Sequence, residues 1–108
     1  MKRVFISHPC SDNVPVRRAQ NRELIERLRK ENPDVLFISP LLLFDYFEEE
    51  DPKFRGEILD TCCAMMEFVC DEAWIFGDSQ GCKIEREYAK KIGMPIKDFV
   101  PEREKGNI

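Results

Sequence analysis

Short apolar runs alternate along the chain with longer stretches in which apolar residues recur at helical spacing. Val4-Phe5-Ile6 follows a basic start and is closed by Ser7-His8-Pro9-Cys10, which predicts a buried strand ending in a loop. Val35-Leu36-Phe37-Ile38, closed by Ser39-Pro40, has the same size and flanks. A third run spans Glu72 to Phe76, apolar at Ala73-Trp74-Ile75, and a fourth spans Ile96 to Val100, interrupted by Lys97-Asp98. Between the first two runs, Val16, Ala19, Leu24, Ile25 and Leu28 form the stripe of a helix from about Val16 to Glu31. Between the second and third, Phe54, Ile58, Leu59, Cys62, Met65, Met66 and Val69 mark a deeply packing helix from about Pro52 to Val69. Between the third and fourth, Gly77-Asp78-Ser79-Gln80-Gly81 turns the chain and Ile84, Tyr88, Ala89 and Ile92 follow helical spacing up to a stop at Gly93 and Pro95. Leu41-Leu42-Leu43-Phe44 reads as a buried loop, a short helix or a lid.

Strands alternating with helices predict an α/β fold: a three-layer, flavodoxin- or Rossmann-like arrangement with a short parallel sheet of about four to five strands and helices on both faces. Ligands of such sheets bind outside the carboxyl ends of the strands, where the strand order switches. Ser7 to Cys10, Ser39 to Leu41 and Gly77 to Gly81 are the loops expected there. One charged residue shares the apolar face of the last helix. Glu85 lies three, four and seven residues before Tyr88, Ala89 and Ile92. A carboxylate on the core side of a helix is costly unless it is used. Two readings stand at this point: a nucleophile or general base at the mouth of the sheet, or a structural glutamate paired with a lysine or capping a loop. Lys83, Arg86, Glu87, Lys90 and Lys91 are expected mostly in water.

Composition narrows the function classes. A chain of 108 residues with 43% hydrophobic and 35% charged residues fits one globular domain, expected over residues 1–100 with a polar tail at 101–108. The net charge of −4, with no basic cluster beyond Arg17-Arg18 and Lys90-Lys91, argues against nucleic acid as a partner. No apolar run is long enough to span a membrane, and the N-terminus lacks a signal-peptide core, so a cytoplasmic location is expected. Five cysteines in that setting read as reduced thiols.

Several chemistries are disfavoured by pattern. Cys62-Cys63 is not a zinc spacing, Cys10, Cys70 and Cys82 stand apart, and His8 is the lone histidine, so neither a metal nor another cofactor is expected. No P-loop, dinucleotide fingerprint or GxSxG elbow is present. Asp60 adjoins the apolar Leu59 and reads on pattern alone as a solvated helix aspartate; Asp71 reads as a turn or cap, and Asp78 or Ser79 as the cap of the last helix.

The ordered motifs resemble the nucleoside 2-deoxyribosyltransferase-like superfamily, particularly its small bacterial and phage members. The likeness runs through Ile6-Ser7-His8-Pro9, Ser39-Pro40, Cys70-Asp71-Glu72-Ala73-Trp74 and Gly81-x-x-x-Glu85-x-x-x-Ala89 followed by Gly93-Met94-Pro95. It covers nearly the whole chain to about residue 100. The resemblance implies that Glu85 attacks the anomeric carbon of a 2-deoxyribonucleoside and expels the base, with Asp60 handling the base. It further implies substrate-binding roles for Ser7, His8, Pro9, Asp78, Ser79 and Gly81. Ser79 stands where the family carries a sugar-binding carboxylate, and His8 where it usually has glycine. Relatives complete their sites with a neighbouring subunit, so a homo-oligomer is expected, with Leu41 to Phe44 as a candidate surface. A weaker likeness is to TIR domains, in Val4-Phe5-Ile6-Ser7-His8 with Ser11-Asp12 and in Cys82-x-x-Glu85. It implies cleavage of NAD at its nicotinamide bond. Both place the working carboxylate at Glu85 and expect a small nucleoside or nucleotide as partner. The alternative is a non-catalytic nucleotide-binding or accessory module.

Overall fold

A computed structural model describes residues 1–10, 13–46 and 52–100. Four strands, β1 (Lys2–Ser7), β2 (Val35–Ile38), β3 (Glu72–Ile75) and β4 (Ile96–Asp98), form one parallel sheet in the order β2-β1-β3-β4. Both neighbours of β1 are strands, which explains why Val4, Phe5, Ile6 and Ser7 are all buried. Alternation then sorts the side chains onto two faces. Val4, Ile6 and Trp74 pack against α1 (Val14–Glu31) through Leu24 and Leu28. Phe5, Ala73 and Ile75 pack on the other face with Cys62 and Met66 of a helix spanning Pro52–Phe68 and with Cys82 and Ala89 of one spanning Gln80–Lys91. Between β2 and the first of these two helices lies a short helix, α2 (Pro40–Leu43); the two longer ones are therefore α3 and α4. This is the α/β architecture that the alternating pattern predicts, with helices on both faces of the sheet.

The helix ends follow from local chemistry. The Asn13 side chain accepts from the Val16 amide at 3.3 Å and starts α1 two residues before the apolar pattern does, with Pro15 in the first turn. Ser39 caps α2 and also accepts from the buried Asn21 side chain of α1 at 2.6 Å, which ties α2 to α1. Of the three readings of Leu41 to Phe44, the short helix is observed. Ser79 caps α4 by accepting from the Cys82 amide at 3.3 Å. Gly93, with φ of +72°, closes the same helix in a left-handed conformation that suits glycine.

Three expectations need correction. Val16 and Ala19 are exposed, because α1 meets the sheet through Leu24 and Leu28, further along the helix. Phe54 and Val69 are exposed as well: α3 buries Cys62 and Met66 fully and leaves both of its ends in water. Arg86, expected in water, is buried. Its Nη1 and Nε donate to Asp78 at 2.8 Å and to Asp98 at 2.7 Å, and its Nη2 donates to the Gly77 carbonyl at 3.1 Å. The guanidinium thus fastens the β3–α4 turn to the end of β4. The polar tail expected at 101–108 and the Ser11-Asp12 pair lie outside the described residues.

The β3–α4 turn also packs tightly against the loop after β1. A Cβ built on Gly77 falls 2.1 Å from Pro9 Cγ and 2.4 Å from Pro9 Cδ. Gly77→Ala must therefore push the two loops apart, and is expected to destabilise the fold by about 1–3 kcal/mol. A urea unfolding curve measures this; an unchanged midpoint would remove the argument for close packing.

Candidate active site

β1 and β3 are adjacent, yet their flanking strands run outward to opposite edges of the sheet, so the strand order switches between them. Ser7 ends β1, and its side chain falls on the same face as Phe5, towards α3 and α4. Glu85 sits in the second turn of α4 and meets it there: Ser7 Oγ donates to Glu85 Oε1 at 2.5 Å. The Cys62 thiol of α3 is a second hydrogen-bond partner of the carboxyl. Glu85 is 8% exposed. Burial pushes its pKa up to about 7, against the two hydrogen bonds, which favour the charged form. Cys62 is held protonated, chiefly by burial and also by the nearby carboxylate, so it remains a donor at neutral pH.

Ser7 thus favours the ionised form of Glu85 against the effect of burial. Ser7→Ala removes a hydrogen bond to the charged form, a class of interaction worth about 1.5–3 kcal/mol. The Glu85 pKa is expected to climb further above 7, and the acid limb of any reaction that needs the carboxylate should move upward by about one pH unit or more. A pH–rate profile of wild type and variant checks the shift; coincident limbs would mean that Ser7 does not govern the group.

Glu85 lines a small cavity of about 90 Å³ at the carboxyl edge of the sheet. The predicted convergence of loops holds: His8 and Cys10 come from the loop after β1, Pro40 and Leu41 from the start of α2, Ser79 and Gly81 from the start of α4. α3 contributes Arg55, Ile58, Leu59 and Cys62, spaced i, i+3, i+4 and i+7 along one helical stripe. Phe44, Val14 and Arg18 complete much of the remaining wall.

The predicted site residues separate into two groups. His8, Ser79, Gly81 and Glu85 share the cavity wall, and Ser7 joins them through its hydrogen bond to Glu85. Asp60, Pro9 and Asp78 are off that wall. Asp60 is exposed because the α3 stripe facing the cavity runs through Leu59 and Cys62, which turns position 60 outward. Pro9 packs on Gly77, and Asp78 is held by Arg86. Asp71, expected at a turn, accepts from the Arg3 amide at 2.8 Å. His8 Nδ1 is 2.9 Å from the Pro9 carbonyl oxygen; burial lowers its pKa, against that hydrogen bond, and the Arg17 charge lowers it too, which favours the neutral ring with the proton on Nδ1. Among the described residues no group of histidine, cysteine and carboxylate side chains could hold a metal ion.

Sequence reasoning missed Arg18, Arg55, Cys62 and Cys82 as wall residues. Cys62 was within reach, since it belongs to the apolar stripe of α3. Arg18 and Arg55 carried no signal, because arginines on amphipathic helices are ordinarily assigned to water.

These residues fall within a matched family. A domain described as a domain of unknown function, DUF7768, matches residues 2–99. No curated protein and no solved structure matches the chain.

Proposed function

We propose a function from the site itself, because the chain belongs to the DUF7768 family and that family's description assigns none. The protein is an enzyme that cleaves or exchanges an N-glycosidic bond in a nucleoside or nucleotide. One observation carries this reading: a buried carboxylate, aimed by Ser7 and Cys62, on the wall of a cavity at the switch point of a parallel sheet. The order of motifs that resembles nucleoside 2-deoxyribosyltransferases supports it.

In the proposed reaction a Glu85 oxygen attacks the anomeric carbon of the sugar. The bond from that carbon to the base nitrogen breaks, and its electron pair leaves with the base, which takes up a proton. The product is a glycosyl ester of Glu85. Water or the nitrogen of a second base then attacks the same carbon and regenerates the carboxylate, the retaining two-step logic of glycoside chemistry. Only ionised Glu85 is a nucleophile, so base release should rise with pH through about 7. Ser7 and Cys62 act on the nucleophile, the first by orientation and both by stabilising its charge. Leu59, Ile58 and Phe44 offer apolar surface for the flat face of a base.

The assay is incubation of the pure protein with deoxynucleosides, their 5′-monophosphates and NAD, with free base followed by chromatography. Release from at least one of the first two classes supports the reading, and release from NAD alone would favour the TIR-like alternative. No release from any of them over long incubation rejects it. A second reading, a nucleotide-binding module without turnover, has one observation in its favour: among the described residues the cavity wall holds no carboxylate besides Glu85 to protonate a leaving base. Thermal stabilisation by nucleotides without base release would select that reading.

A further inference from the structure

His8 carries the one imidazole of the chain and stands at a junction. It lines the cavity together with Glu85. It also lines an open groove beside α1, with Arg17, Gln20 and Leu24. α1 packs on one face of the sheet, and α4, which carries Glu85, packs on the other. His8 therefore meets the cavity from the α1 side and Glu85 from the α4 side. The tautomer of His8 is set by a contact of its own. Nδ1 lies 2.9 Å from the Pro9 carbonyl oxygen, which can only accept, so Nδ1 carries the proton and Nε2 of the neutral ring keeps its lone pair. Burial favours the neutral ring, against that hydrogen bond, and the Arg17 charge favours it too. The ring is then a proton acceptor on the cavity wall. Among the described wall residues only Glu85 and His8 carry a carboxylate or an imidazole. In a retaining two-step reaction the nucleophile holds the sugar from one face, and water arrives at the face the leaving group has vacated. Glu85 and His8 occupy the two sides that this sequence of steps needs.

We infer that His8 is the general base of the second half-reaction, taking a proton from the water that attacks the glycosyl ester of Glu85. This rests on the N-glycosidic reading of Glu85. As the water oxygen bonds to the anomeric carbon, the bond from that carbon to the Glu85 oxygen breaks, and its electron pair returns to the carboxylate. The water proton passes to Nε2 and makes an imidazolium. The Arg17 charge disfavours that imidazolium, and the ring gives the proton up to water in the open groove. A neutral ring with its proton on Nδ1 has none to give from Nε2, so departure of the base in the first step does not use it. Return of the same base to the ester is the reverse of that first step and does not use it either. His8 thus serves hydrolysis and not exchange.

The test separates the two half-reactions. The probes are the four common 2′-deoxynucleosides, their 5′-monophosphates and the radiolabelled free bases. The proteins are wild type, Glu85→Gln, His8→Asn and His8→Ala, each checked for folding by its unfolding midpoint. Asn is chosen because its amide can keep a bond to the Pro9 carbonyl without supplying a base. Rapid quench reads the first base released per protein molecule, chromatography reads steady hydrolysis, and label entering the nucleoside reads return of base to the ester. In both His8 variants hydrolysis should fall by about a hundredfold, while first release and exchange of label persist. The glycosyl ester should accumulate on Glu85, and added imidazole should restore hydrolysis to His8→Ala. Glu85→Gln should lose all three readouts. An equal fall of all three in His8→Asn, or hydrolysis at the wild-type rate in both His8 variants, overturns the role of His8 and leaves that of Glu85 standing. No base released by wild type from any probe, in the first turnover or later, overturns the reading of Glu85 and this inference with it.

Discussion

Glu85→Gln is expected to lower base release by about a thousandfold or more and, at the same time, to stabilise the fold. The first effect follows from the loss of the nucleophile. The second follows from linkage. The Glu85 pKa is about 7 in the folded protein and near the ordinary 4.5 when the chain unfolds. Between those values the folded state binds more protons than the unfolded state, so stability falls as pH rises through the window. A shift of this size corresponds to about 3 kcal/mol lost by pH 8 and almost nothing lost near pH 4.5. Glutamine keeps an acceptor for the Ser7 hydroxyl and carries no charge to bury. The variant should therefore unfold at higher urea than wild type at pH 8 and at nearly the same urea at pH 4.5. A residue kept for stability would behave in the opposite way, and a variant less stable at both pH values would make Glu85 a structural glutamate.

The second large effect is expected at Arg86, the neighbour of Glu85 in sequence. Arg86 is 6% exposed, and its guanidinium holds Asp78, Asp98 and the Gly77 carbonyl together. Arg86→Met removes the cation that both Asp78 and Asp98 hold most closely, at 2.8 and 2.7 Å. Breaking a buried ion pair from one side costs about 3–5 kcal/mol, a large share of the stability of a domain this size. Asp78→Asn with Asp98→Asn in the Met background should recover part of the loss, because the carboxylate charges that Arg86 balanced are removed with it. Urea unfolding of the single and triple variants measures both quantities. A loss below about 0.5 kcal/mol for Arg86→Met would show a solvated pair that contributes little.

Arg86 also shows where the sequence was legible and where it was not. The buried stripe of α4 is Cys82, Glu85, Arg86 and Ala89, spaced i, i+3, i+4 and i+7. Spacing identifies Glu85 on that stripe and identifies Arg86 just as well. Arg86 is expected in water because the apolar face taken through Tyr88, Ala89 and Ile92 leaves it mostly to one side, and its two carboxylate partners come from the preceding turn and from β4, contacts that no local pattern displays. The strands were legible because β1 and β3 are short apolar runs bounded by turn residues, and the parallel order followed from their alternation with helices. The edge of the sheet where the site lies followed from that order alone. Asp60 failed for a geometric reason: one step along a helix rotates a side chain by about 100°, enough to carry it from the cavity stripe to solvent. Arg18 and Arg55 were illegible because they converge only after two helices have packed on opposite faces of the sheet. Cys62 was legible as core and illegible as a hydrogen-bond partner of a carboxylate.

The site thus combines a carboxyl that burial makes costly, two donors that hold it in place, and loops that leave it on the wall of a cavity. The most direct test is the mass of the peptide carrying Glu85, taken from protein quenched in acid during turnover of a deoxynucleoside 5′-monophosphate. The account predicts that this peptide gains the mass of one sugar phosphate, that the gain decays once substrate is exhausted, and that it is absent from Glu85→Gln. Continued release of base with the Glu85 peptide unmodified, and at the same rate in Glu85→Gln, would contradict it.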